Sequence, residues 1–384
     1  MTIKLNYLKY YLSIFVFSLV SVTGFGQQNE KVEKDLLAIM AKYQAIGMSV
    51  AVVKNNKICY TKSLGLKNVE SNTPLENGDI FRIASISKSF TVTSLMQLVE
   101  AGKFSLDDEF SDLIGFKINN PKFPETKITL KMILSHTSSL NDKNGYFDLD
   151  VINPEKNQNW AESYNDYEPG KGYEYCNLNF NLAGTLLEKA SGERFDLYVK
   201  HHILDPLHLY AGYCVDSLDS RRFVTLYTYD TNTNKFEPAP EAYAPRREEI
   251  KQYIMGYSTP VFSPTGGMKI SASDLAKYMM MHMNYGTANG VKIISKKSAK
   301  IMQTKLSDEE GYGLALRQIT DLIPGKTLIG HNGDAYGLYS TMFFQPQEKF
   351  GIVIITNGCR ATYTDNFNDF LKESINSLYE NLIQ

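Results

Sequence analysis

Ser85 and Lys88 form the chain's one Ser-x-x-Lys spacing. Residues three apart on a helix share a face, so the amine can reach the hydroxyl unaided. A helical pattern runs from Ser87 to Glu100 and stops at Gly102, which puts the pair at a helix start. There, unpaired backbone N–H groups and the positive helix end favour negative charge on an attacked carbonyl oxygen. For Lys88 to take the serine proton it must be neutral near pH 7, a state that burial and positive neighbours promote. By itself the spacing is better read as a helix-capping serine and a solvated lysine. A second group is Tyr175-Cys176-Asn177, after Pro169-Gly170 and before another helical pattern. A phenol can relay a proton to a leaving group, and an amide can both donate to and accept from a substrate amide. The other Tyr-x-Asn, at Tyr379 and Asn381, lies in a terminal amphipathic pattern and is set aside. A third group, His331-Asn332-Gly333, falls between two strand patterns, where glycine permits close approach to the strand.

The elements that must position these groups come from both chain ends. Val32, Leu36, Met40 and Tyr43 predict an opening helix, and 48–53 with 58–62 predict a hairpin around Asn55-Asn56. The middle is expected to be mainly helical with long loops, its periodicity clearest over 129–134, 177–189 and 273–284. Strand patterns return at 312–318, 327–330, 338–344 and 350–356, and a final helix is expected over about 366–382. The economical arrangement is an α/β fold of the α+β type. One antiparallel sheet is built from both ends (about 30–85 and 300–384) and flanked by helices, with a helical insertion over about 100–290. The stretch 216–257, rich in Tyr, Pro and charge, reads as an elaborated loop region.

Composition narrows the functions. The 384 residues carry 40 basic and 42 acidic side chains, a net charge of −2, with no block of like charge to track a phosphate backbone, so a nucleic-acid partner has no electrostatic support. The four cysteines are widely spaced and form no Cys-x-x-Cys, which argues against zinc ribbons, iron–sulfur clusters and disulfide scaffolds. No metal or cofactor is expected. His201-His202 lack a ligand-like carboxylate offset, and adjacent helical residues point apart. His136 reads as a structural histidine, and Met279–Met281 with Met283 as a packing stripe. Lys4 and Lys9 precede an apolar run, 11–22, followed by Gly24 and Gly26. This predicts a secretory signal cut near Gly26, with the working domain over 27–384 secreted or periplasmic and no membrane span after cleavage.

Taken in order, Ser85-x-x-Lys88, Tyr175-x-Asn177 and His331-x-Gly333 resemble the three motifs of the penicillin-recognising serine hydrolases, in the branch of class C β-lactamases, DD-peptidases and esterases. Phe81-Arg82-Ile83-Ala84, Leu134-Ser135-His136-Thr137-Ser138, Gly266-Gly267 and Gly337 agree with it, and the likeness covers roughly Glu30 to the end. The resemblance implies Ser85 as the acylated nucleophile, Lys88 as its proton partner and Tyr175 as a second proton shuttle. It further implies that Asn177 holds the substrate amide, that His331 faces the cleft, and that the backbone N–H groups of Ser85 and Asp334 hold the oxyanion. The sequence departs from the family pattern at His331 and Asn332, where Lys and Thr are usual, at Cys176 for Ser, and at Ser139 for Gly. The expected activity is an amidase or peptidase on D-amino-acid-containing, cell-wall-like peptides, with a carboxylesterase or weak β-lactamase as alternatives. A penicillin-binding sensor without turnover is the rival of another class.

Overall fold

The computed structural model describes residues 28–384; the expected signal segment lies outside them. Helix α1 covers 28–42 and leads into the hairpin β1 (Gly47–Lys54) and β2 (Lys57–Asn68), with a short β3 (Thr73–Pro74). A two-residue β4 (Phe81–Arg82) precedes α2 (Ser87–Glu100), and α3 spans Asn177–Ser191. Two more short strands, β5 (Ala211–Gly212) and β6 (Lys269–Ile270), come before α4 (Ala272–Met283). The chain closes with β7 (Arg317–Ile319), β8 (Leu328–Ala335), β9 (Leu338–Gln345), β10 (Phe350–Thr356) and α5 (Asp369–Leu382).

The main sheet has the order β7-β8-β9-β10-β1-β2-β3, antiparallel at every pairing, so strands from the two chain ends meet where β1 lies against β10. Its central strands read as continuous apolar runs because both faces are covered. Val50, Val52, Ile352 and Ile354 pack with Val32, Leu36, Phe370 and Ile375 of α1 and α5. Ala51, Val53, Val353 and Ile355 share the second core with Met279 and the helical region. The methionines of α4 are thus packing residues. No helix among the described residues is long and apolar enough to cross a membrane.

Three expectations need correction. The strand expected over 312–318 is only Arg317–Ile319, because Gly311 (φ 62°) and Ala315 (φ 56°) take left-handed backbone and fold the segment into a loop that turns Tyr312 inward. The stretch 216–257 is a loop only in part: it holds a hairpin, Tyr227–Asp230 with Lys235–Pro238, and a short helix, Arg247–Lys251. His201 and His202 do not point apart. Both reach Glu193, at 2.6 and 3.0 Å, from a turn wound as a π-helix over Lys200–Leu204.

Candidate active site

Ser85 sits in the tight turn Ala84–Ile86 that feeds α2, with Ala84 at φ 47°. Strand β8 runs directly behind this turn. A Cβ on Gly333 would stand 2.3 Å from the Ile83 carbonyl and 2.5 Å from Ser340 Oγ, which itself donates to that carbonyl at 3.0 Å. Glycine is therefore required for the third motif to approach the nucleophile.

Lys88 is fully buried one helical turn further on. Its Nζ lies 3.1 Å from Ser85 Oγ, 2.9 Å from Asn177 Oδ1 and 3.0 Å from the Thr265 carbonyl. As an ammonium it donates to all three. As a neutral amine it donates to the two fixed carbonyl acceptors and keeps its lone pair for the Ser85 hydroxyl. Burial pulls its pKa from 10.5 down to about 7, against the opposing pull of the Asp142 carboxylate. Both protonation states are accessible at neutral pH, as a proton partner requires.

Asn177 opens α3, and the structure gives it a more constrained part than the sequence implies. Its Oδ1 accepts from Lys88 and, at 2.7 Å, from Thr265 Oγ1, while its Nδ2 donates to Asp142 Oδ2 at 2.9 Å. Its carbonyl is committed to orienting the lysine. Asp142 also accepts from the backbone N–H groups of Asn177 and Leu178, at 2.8 and 3.0 Å, and from the Cys176 thiol at 3.2 Å. A carboxylate on the N-terminus of a helix is favoured electrostatically. The small thiol at 176 fills the space beside it.

The Tyr175 hydroxyl is buried with no hydrogen-bond partner among the described residues, and its ring lies 4.7 Å from Lys88 Nζ. Burial pushes its pKa well up, with the Ser85 hydroxyl pulling the other way, so the phenol keeps its proton in the resting site. His136 supports this ring at 4.4 Å between centroids and accepts from the Cys176 N–H through Nδ1, which makes it structural as expected. The Ser139 departure is accommodated by left-handed backbone, φ 66°, with Oγ accepting from Asn120.

His331 faces this cleft as a neutral ring. Burial, reinforced by the nearby lysine, takes its pKa down to about 3. Its Nδ1 donates to the Asn332 carbonyl at 2.5 Å, so Nε2 accepts from Tyr312 at 3.0 Å. A cation of this region is Arg317 on β7, the register partner of Gly330. Its Nη1 pairs with Glu310 at 3.0 Å and its Nε is buried without a partner among the described residues. Asp334 follows on β8, its carboxylate accepting from Tyr363 at 3.2 Å. Ser85, Tyr175, Asn177, His331, Asp334 and Arg317 together line a cleft of about 630 Å³.

A Beta-lactamase family model matches residues 32–369. The chain belongs to the β-lactamase family. It is 24% identical over 332 residues to "Protein flp" of Staphylococcus aureus (strain MRSA252), covering 81% of this chain and 59% of that protein. The chain thus spans about six tenths of the length of that relative. It is 25% identical to "Penicillin-binding protein 4" of Amycolatopsis lactamdurans, covering 88% and 87% of the two chains. Among solved structures it is similar to the octameric penicillin-binding protein homologue from Pyrococcus abyssi, with a TM-score of 0.73, 25% identity and coverage of 91% and 77%. The fold is that of the β-lactamases and penicillin-binding proteins.

The structure brings Ser85, Lys88, Tyr175, Asn177 and His331 into one site from three separate chain segments. Sequence reasoning missed Asp142, Thr265, Tyr312 and Arg317. Asp142 and Thr265 stand beside recognisable family stretches, shortly after Leu134-Ser135-His136-Thr137-Ser138 and just ahead of Gly266-Gly267. Arg317 carries no local signal.

Proposed function

We propose that this protein is a serine hydrolase working through an acyl-enzyme on Ser85, and that its substrates are D-amino-acid-containing, cell-wall-like peptides or amides. The observation that carries the reading is the Lys88 amine, buried against Ser85 Oγ with its other two hydrogen-bonding directions fixed by Asn177 and Thr265. Lys88 takes the serine proton as Oγ attacks the carbonyl carbon, and the backbone N–H groups of Ser85 and Asp334 hold the oxyanion. Tyr175 gives its proton to the departing amine. It then takes one from the water that attacks the acyl-enzyme, and Lys88 returns its proton to Ser85 Oγ as the acid departs, which restores the site. Arg317 supports a substrate with a terminal carboxylate, since its side chain lines the same cleft. Penicillin-binding protein 4 as a relative supports the same substrate class. The signal-like N-terminus supports work outside the cytoplasm.

A carboxylesterase is the second reading, favoured by one observation: the neutral His331 removes the cation usual at that position. Comparing turnover of an acyl-D-Ala-D-Ala peptide, a short-chain nitrophenyl ester and a chromogenic cephalosporin separates the readings. Peptide turnover with an acyl adduct on Ser85 by mass spectrometry is expected; turnover of the ester alone refutes the peptide assignment. A protein that forms the adduct and releases nothing is the sensor.

A further inference from the structure

A second cavity, about 350 Å³, adjoins the cleft through Arg82, Phe147, Ser263 and Tyr336. It opens from the part of the cleft that lacks Arg317, Glu310 and Tyr312. Two basic side chains line its inner wall in an arrangement that is costly for paired positive charge without a counter-charge. Arg82 on β4 and Lys269 on β6 are register partners in the small antiparallel sheet. Like charges directly opposed across strands destabilise a sheet, and burying them adds a desolvation cost. Lys269 is 6% exposed, burial and then the Arg82 guanidinium hold its proton affinity well below the usual lysine range, and its one acceptor among the described residues is the Tyr213 carbonyl at 2.6 Å. Arg82 donates to the Gly266 carbonyl at 2.9 Å and, more weakly, to the Ala242 carbonyl and Ser263 Oγ, both at 3.4 Å. Neither side chain is within salt-bridge distance of a carboxylate among the described residues. Asp196, the one carboxylate whose charge bears on Lys269 among the described residues, is held in a two-point pair with Arg194 at 2.6 and 2.9 Å. At the mouth stand exposed Arg246, paired with Glu249 at 3.2 Å, and exposed Glu241. Phe262, Val215 and Pro260 make the remaining wall apolar.

We propose that this cavity is a subsite for the acyl side of the substrate, taking a short aliphatic chain that ends in a carboxylate. It rests on the serine-hydrolase reading. The apolar wall accommodates the methylenes, and the carboxylate supplies the acceptor that Lys269 and Arg82 lack. Two basic groups that disfavour each other's charge in the free protein become partners of one anion in the complex. Arg82, lying on both cavities, connects this recognition to the backbone two residues before Ala84 and the nucleophile.

The test compares glutaryl-D-Ala-D-Ala with the pentanoyl peptide of the same chain length. The glutaryl donor is expected to have a kcat/KM at least tenfold higher, and Lys269→Met and Arg246→Gln are each expected to bring the ratio toward one. A ratio near one in the native protein, or equal loss on both donors in the variants, overturns the subsite. Arg246 is exposed, so its variant tests the idea even where Lys269→Met fails to fold. Titration of glutarate into the Ser85→Ala protein by calorimetry is independent of turnover. Saturable binding that Arg246→Gln weakens is expected, and no binding overturns the subsite whatever the turnover shows. Glutarate binding with neither peptide hydrolysed refutes the peptidase reading and leaves the subsite standing.

Discussion

Replacing Lys88 with methionine should separate the residue's cost to the fold from its use in chemistry. Burial takes the amine from 10.5 to about 7, so at and below neutral pH the folded protein holds a charge it would rather expose. At about 1.4 kcal/mol per pH unit, a fall of that size corresponds to roughly 5 kcal/mol of destabilisation. Because the folded pKa is depressed, the unfolded chain binds more protons between about 7 and 10.5. The cost is therefore complete below about 7 and fades as pH rises through that window. Against it stand the three hydrogen bonds to Ser85, Asn177 and Thr265, together about 3 kcal/mol. Methionine fills a similar volume without charge. Lys88→Met should be more stable than the native protein by roughly 2 kcal/mol at pH 6, and the advantage should fall by about 1.4 kcal/mol per pH unit above 7, reversing by pH 9. Urea unfolding of both proteins across pH 6 to 9 measures it, since titrations common to the two cancel in the difference. Turnover should drop by a factor of about 10² to 10⁴ at every pH. A stability difference that is flat with pH, or a variant less stable at pH 6, refutes the claim that the site holds its lysine at an energetic cost.

Asp142→Asn removes the anion that sustains Lys88's proton affinity and loosens Asn177; the acid limb of kcat/KM should move to lower pH while its maximum falls about tenfold or more. Gly333→Ala places a methyl 2.3 Å from the Ile83 carbonyl, so a pH-independent loss of activity of about 10² or more, with a lower melting temperature, is expected. The buried Glu188 carboxylate accepts from the N–H groups of Phe195 and Gly256, from Thr259 and from Tyr253. Glu188→Gln leaves some of these donors unsatisfied and should cost about 2–4 kcal/mol in urea unfolding, with a smaller effect on the KM of the ester substrate.

Legibility followed the range of the interactions involved. The runs 48–53 and 350–356 could be placed in the sheet because strands covered on both faces need unbroken apolar sequence, and no partner had to be known to see it. Helix α2 and the Ser85–Lys88 pair were legible because a spacing of three is a local geometric fact. The loop at 311–316 was not, because apolar residues there satisfy a strand pattern while left-handed backbone at Ala315 breaks it. Asp142 was invisible for another reason: its bond to Asn177 spans 35 residues and exists only once a loop folds back on the start of α3. Arg317 depends on a strand register that no spacing encodes.

The charge balance of the cleft links these residues. No cation contributes to Lys88's low proton affinity; burial produces it against Asp142 and Cys176. A lysine at 331 would add a permanent positive charge near that amine and drive it lower still. The neutral His331 avoids this, and its own depressed pKa shows that it already feels Lys88. A positive charge available to a substrate's terminal carboxylate stands instead on the edge strand, at Arg317, paired with Glu310. The two tasks that one lysine at the third motif would couple, attracting an anion and tuning the base, are thus carried by different strands. On this basis, Arg317→Met should raise KM for a carboxylate-terminated peptide more than it changes kcat, and should leave the acid limb near 7 in place. A shift of that limb to higher or lower pH in the variant would mean that Arg317 does set the proton affinity of Lys88, and the separation would be wrong.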